Sequence, residues 1–94
     1  MPFPSQTPRA FTRQNVEAIT PGQIGCYGLF RDNQWIYIGK GDIRARLLAH
    51  LAGGNSCIAA RAPTHWVDMV TPDYDNIEKQ LILEFKPACN QKVG

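Results

Sequence analysis

The chain has 94 residues, 44% of them hydrophobic and 19% charged, with a formal net charge of +2. That length holds one small domain, and the balance of apolar and charged residues excludes a disordered chain. The weak positive bias permits contact with a phosphate backbone without arguing for it, and no apolar run approaches the roughly 20 residues that span a bilayer.

The N-terminus, MPFPSQTPRAF, lacks the continuous apolar core of a secretory signal, so a cytoplasmic protein away from membranes is the default expectation. Cys26, Cys57 and Cys89 form an odd, widely spaced set without a CxxC pair. Reduced, partly buried thiols are expected; a metal ligand or an intermolecular disulfide is the alternative.

Residues 1–22 read as a proline-rich arm, in which Thr12 can cap a short helix over Arg13–Ile19 that Thr20-Pro21-Gly22 stops. The folded domain is expected over residues 23–94. Ile24–Phe30 and Trp35–Gly39 are rich in β-branched and aromatic residues, and Arg31-Asp32-Asn33-Gln34 between them is turn-like. Together they read as a β-hairpin.

Asp42 is a good N-cap for a helix over Ile43–Ala52, and Gly53-Gly54 a good stop. Residues 55–63 are ambiguous, with room for a helical turn. His65–Val70 reads as a third strand ended by Thr71-Pro72. Asp73 or Asp75 can cap a second helix to about Phe85, which Pro87 terminates from outside. The order β-β-α-β-α predicts an α+β domain: a small three-stranded antiparallel sheet flanked by helices.

The last helix carries an anomaly. With Ile77 at 0° and about 100° per residue, Leu81 falls near 40°, Tyr74 near 60°, Phe85 near 80° and Ile82 near 140°. Glu78 lands near 100°, inside that apolar stripe. A carboxylate there must be desolvated, paired or coordinating a cation, and hard cations such as Mg²⁺ take oxygen ligands. The plainer alternative is a helix that begins late, with Glu78 in an exposed first turn. On the first sheet-flanking helix, Arg46 and His50 lie four apart at the border of an apolar stripe, where a solvated edge is the simpler reading. By phase alone Arg44 is the odder residue, although a first-turn arginine can snorkel.

Tyr27 and Tyr37 end the hairpin, and as lone strand aromatics they would be packing residues. They can face one side only if the register centres on residue 32, which requires an odd-residue loop. A two-residue Asp32-Asn33 turn would set Tyr27 opposite Ile38 and send Tyr37 to the other face. An odd loop or a bulge between Phe30 and Trp35 is therefore expected if the two phenols act together.

These spacings resemble those of the GIY-YIG nucleases, which include homing endonucleases, some restriction enzymes and the incision subunit of bacterial nucleotide excision repair. Gly25-Cys26-Tyr27 stands for the first signature, with cysteine where isoleucine is usual, and Tyr37-Ile38-Gly39 for the second, followed by Lys40 as in the repair subunits. The family's arginine falls on Arg46 and a histidine four residues on falls on His50. The loop before this helix is one residue shorter than in common members, which keeps Arg44 as a rival. The metal-binding glutamate falls on Glu78 and the late asparagine on Asn90, after a lysine-proline pair at Lys86-Pro87. The resemblance spans residues 23–90.

It implies hydrolysis of a phosphodiester in DNA, duplex or branched, with one Mg²⁺ or Mn²⁺ held by Glu78. Arg46 would stabilise the transition-state charge, with Arg44, Lys40 and Arg46 facing the nucleic acid. One of the two tyrosines would take the proton from the attacking water. A phenol is a poor base at pH 7 unless nearby cations, here Lys40 and Arg46, stabilise the phenolate, and His50 could orient or deprotonate it. Asn90 would fix local geometry. The alternative is a non-cleaving nucleic-acid-binding module on the same scaffold, because one small domain with +2 charge has few means of selecting a sequence. Such a module could gain contacts by dimerising or through Arg9 and Arg13 of the arm.

Overall fold

In a computed structural model, residues 3–90 are described; the outermost ends of the expected arm and domain, residues 1–2 and 91–94, lie outside them. Four strands and four helices follow in the order β1 (Arg9–Ala10), α1 (Arg13–Glu17), β2 (Ile24–Arg31), β3 (Gln34–Asp42), α2 (Ile43–Leu51), α3 (Ser56–Arg61), β4 (His65–Val70) and α4 (Tyr74–Phe85). The sheet order is β1-β4-β2-β3, with each neighbouring pair antiparallel.

The sheet has four strands, not the three expected. The additional strand comes from the arm: Arg9 and Ala10 pair with Trp66 and His65 of β4. Two residues with no apolar alternation carry no strand signal; β4 needs a partner on its open edge, and the arm supplies one.

Helix ends follow local chemistry. Thr12, Asp42 and Asn55 each accept a hydrogen bond from the backbone N–H three residues on, which sets the starts of α1, α2 and α3. Asp73 precedes α4 without capping it; its carboxylate accepts instead from the Asn76 side-chain amide at 2.9 Å. Because α4 begins at Tyr74, Glu78 lies beyond the first turn.

The two sheet faces hold separate apolar clusters. One joins Tyr27, Leu29, Ile36 and Trp66 to Val16 of α1, Ile43 and Leu47 of α2 and Ile58 of α3. The other joins Cys26 and Ile38 to Leu81 of α4, with Tyr74, Ile77, Ile82 and Phe85 packed around them.

The hairpin resolves the register question in an unexpected way. Arg31 pairs with Gln34, so the turn is the two-residue Asp32-Asn33 turn, with Asp32 at φ 53°. Phe30 pairs with Trp35 but Leu29 pairs with Tyr37, leaving Ile36 as an extra residue in a β-bulge. The bulge lies one residue past the Phe30–Trp35 interval where it was expected. It restores the shared face: Ile36 and Tyr37 both pack on the cluster that contains Tyr27. Tyr27 then stands opposite Gly39 and meets Tyr37 diagonally.

Cys57 and Cys89 form a disulfide with Cα atoms 5.7 Å apart, which overturns the expectation of reduced thiols. They are 32 residues apart in the chain and meet only because the segment after α4 folds back beside α3. Cys26 is the free, buried cysteine.

Candidate active site

The tyrosine face begins at a glycine. A Cβ on Gly39 would collide with the Tyr27 hydroxyl and lie 2.8 Å from Tyr37 Cε2, so the missing side chain is the space the two rings occupy. The ring centroids of Tyr27 and Tyr37 are 6.2 Å apart, and His50 of α2 packs 5.6 Å from the first and 5.3 Å from the second. Tyr27 Oη and His50 Nε2 form a 2.7 Å hydrogen bond.

Burial, modified by nearby charges, sets the protonation states here. Burial raises the pKa of Tyr27, with a further push from Tyr37; Arg46 opposes and Glu78 adds to it. Tyr37 is likewise raised, by burial first and then Glu78, again against Arg46. His50 is lowered by burial and by Arg46. Both phenols are therefore neutral at pH 7 and the imidazole is unprotonated; in the tautomer that carries its proton on Nδ1, His50 Nε2 accepts the hydrogen bond from the Tyr27 hydroxyl.

Arg46 bears on all three groups, whereas Arg44 acts on neither Tyr37 nor His50. Arg44 Nε is buried without a hydrogen-bond partner. Arg46 is exposed and crosses Gly41, where a Cβ would come within 3.1 Å of its Nε; Gly41 has φ +120° and so doubly excludes a side chain. Among the described residues Arg46 makes no ion pair. It stands as an uncommitted planar cation beside two phenols.

Glu78 approaches from the other face. Its side chain is 17% exposed, and Oε1 lies 3.5 Å from Lys40 Nζ. Lys40 is bound more closely by Asp75, at 2.5 Å, and that bond raises its pKa. Lys40 thus serves the carboxylates of α4, while Arg46 is the cation that acts on the phenols. The Cys26 thiol donates to Tyr74 O at 3.3 Å, and burial, aided by Glu78, pushes it up to about 11. It is an inert packing residue.

Asn90 extends the free edge of β3. Its Oδ1 accepts from Ile38 N at 2.7 Å and its Nδ2 donates to Ile38 O at 2.8 Å. Cys89 N donates to Ile36 O at 2.7 Å, so the strand that carries Tyr37 and Gly39 is held from outside by residues 89–90. The Cys57–Cys89 bond ties this segment to α3.

The arrangement brings Tyr27, Tyr37, His50 and Arg46 together on one side of β3, sets Glu78 and Lys40 on the other, and places Asn90 along the edge. Sequence reasoning missed Asp75 as the partner of Lys40, the steric role of Gly39, and the disulfide. Only the first left a signal, an acid three residues before Glu78 on the same helix.

No protein-family model and no curated protein sequence matches the chain. Solved structures do. The GIY-YIG N-terminal endonuclease domain of UvrC from Thermotoga maritima, in a tyrosine point mutant bound to its catalytic divalent cation, superposes with a TM-score of 0.71 at 22% identity. The match covers 85% of this chain and 94% of that one. A second tyrosine mutant of the same domain, also bound to the catalytic divalent cation, gives 0.66 at 20% identity over the same shares. The chain has the GIY-YIG fold.

Proposed function

We propose that the chain is a divalent-metal-dependent endonuclease that hydrolyses phosphodiester bonds in DNA. The observation that carries this reading is electrostatic. An exposed guanidinium (Arg46), without an ion pair among the described residues, and a partly buried carboxylate (Glu78) act with opposite sign on the same pair of neutral phenols.

Glu78 fits a hard cation, Mg²⁺ or Mn²⁺. Its carboxylate oxygens suit such an ion, and among the described residues no three His, Cys, Asp or Glu side chains gather to complete a protein cage. That is the pattern of a cation bound by one or two carboxylates, waters and a substrate phosphate. When bound, the ion polarises the phosphate and stabilises the leaving 3′ oxygen.

The chain's own residues supply the rest. Arg46 binds the non-bridging phosphate oxygens, where charge grows in the transition state. Tyr27 Oη takes a proton from the attacking water as its own proton passes to His50 Nε2. This relay spares the site a free phenolate, which burial disfavours. Tyr37 orients the water or the phosphate, and Lys40 with Asp75 positions Glu78. Asn90 acts through β3 and does not touch the reacting atoms.

The direct test is a cleavage panel of duplex, nicked, branched and single-stranded DNA, plus RNA, with Mg²⁺, Mn²⁺ or chelator. Metal-dependent cutting of at least one DNA is expected. Binding with a steep salt dependence but no cutting under any metal would replace this reading with the non-cleaving module.

A further inference from the structure

At the hairpin tip, away from the tyrosines, two adjoining hollows of about 460 and 600 Å³ share Asn33, Gln34 and Arg61 in their walls. Lys86 lines one and Arg31 the other, so three basic side chains converge on one groove. Asp32 is the single acid in its lining. Among the described residues none of the three cations is held in an ion pair. All three are exposed.

The groove is built on a fixed frame. Arg61 ends α3, four residues after Cys57, and Lys86 follows α4, three residues before Cys89. The disulfide therefore joins the two basic walls directly. The base is the packed group of Trp35 with Phe85, ring centroids 4.6 Å apart, and Ala88 N donates to Trp35 O. Three cations that line one groove, without an ion pair among the described residues, suit a polyanion.

Two rails connect this groove to the candidate active site. Along β3, Gln34 and Lys40 are six residues apart, about 20 Å at ~3.3 Å per residue. Along α4, Glu78 and Lys86 are eight apart, about 12 Å at 1.5 Å per residue. At ~3.4 Å per nucleotide along a duplex strand, that separation covers about four to six nucleotides. We propose that the groove of Arg31, Arg61 and Lys86 is a second binding site for the nucleic-acid backbone, holding phosphates four to six nucleotides from the reacting one. This rests on the nuclease reading for the place of the reaction but not for the binding.

The test is equilibrium binding of a fluorescent 20-base-pair duplex to the full chain in chelator, across a salt series. The probes are wild type, the double reversal Arg61→Glu/Lys86→Glu, and Lys79→Glu as an exposed-charge control. The double variant should bind at least about tenfold more weakly at low salt. Its log–log salt slope should fall by about two, one for each phosphate that the variant no longer neutralises. Its kcat at saturating DNA should equal that of wild type, because neither residue touches the reacting atoms. Affinity and slope indistinguishable from those of Lys79→Glu would overturn the proposal, as would failure of wild type to bind DNA. Groove-dependent binding in a wild type that cuts nothing would sink the nuclease reading while leaving the groove assigned.

Discussion

Tyr27 Oη lies 2.7 Å from His50 Nε2, with the phenol buried and the imidazole pKa held below its ordinary value. In the proposed mechanism His50, rather than either tyrosine, is the final proton acceptor. His50 accepts only while unprotonated, so cleavage should fall as pH drops through its pKa, which lies below the usual ~6.5. Tyr27→Phe and His50→Ala should each lower kcat by about 10²–10⁴, the range for loss of a general base. A midpoint well above 6.5 in the pH–rate profile would assign the proton transfer elsewhere.

Arg46 contributes to the depressed value of His50. Arg46→Gln should therefore raise the His50 pKa toward ~6.5, as read from the imidazole NMR shift across a pH titration. This readout does not depend on activity. An unmoved titration would mean that the guanidinium does not reach the imidazole.

Gly39→Ala should displace both tyrosine rings, because its methyl would occupy the position of the Tyr27 hydroxyl. A cost of about 1–3 kcal/mol in stability is expected, as for other insertions into a packed core, together with a large loss of kcat. Chemical denaturation and cleavage rates check the two effects. Wild-type activity in the variant would show that the phenols need not keep this geometry.

Much of this was legible in the residues and some of it was not. The cap residues Thr12 and Asp42 marked helix starts correctly because capping is local chemistry. The anomaly of Glu78 was visible as an angular phase, and its Lys40 partner fits the expectation that a carboxylate there is paired. The bulge at Ile36 was foreseen only in kind: a two-residue turn and a bulge together give the same facing as an odd loop, and side-chain alternation cannot tell them apart. β1 and the Cys57–Cys89 bond were illegible, since each depends on segments far apart in the chain being brought together by the rest of the fold.

The disulfide closes a long loop, so its removal should act mainly through the unfolded chain. Cys57→Ser is expected to cost about 3 kcal/mol in denaturant unfolding, and reduction of wild type should cost a similar amount. Because Cys89 neighbours Asn90, the same variant should loosen the β3 edge and speed amide exchange at Ile38. Unchanged stability and exchange would mean that the clamp holds without the covalent tie.

The nuclease reading stands or falls on Glu78 as the metal ligand. Wild type and Glu78→Ala should be compared on the same DNA with Mg²⁺ or Mn²⁺, with binding measured in parallel in chelator. Wild type should cut, Glu78→Ala should not, and both should bind with similar affinity. Equal metal-dependent cutting by the two proteins would contradict the assignment of Glu78.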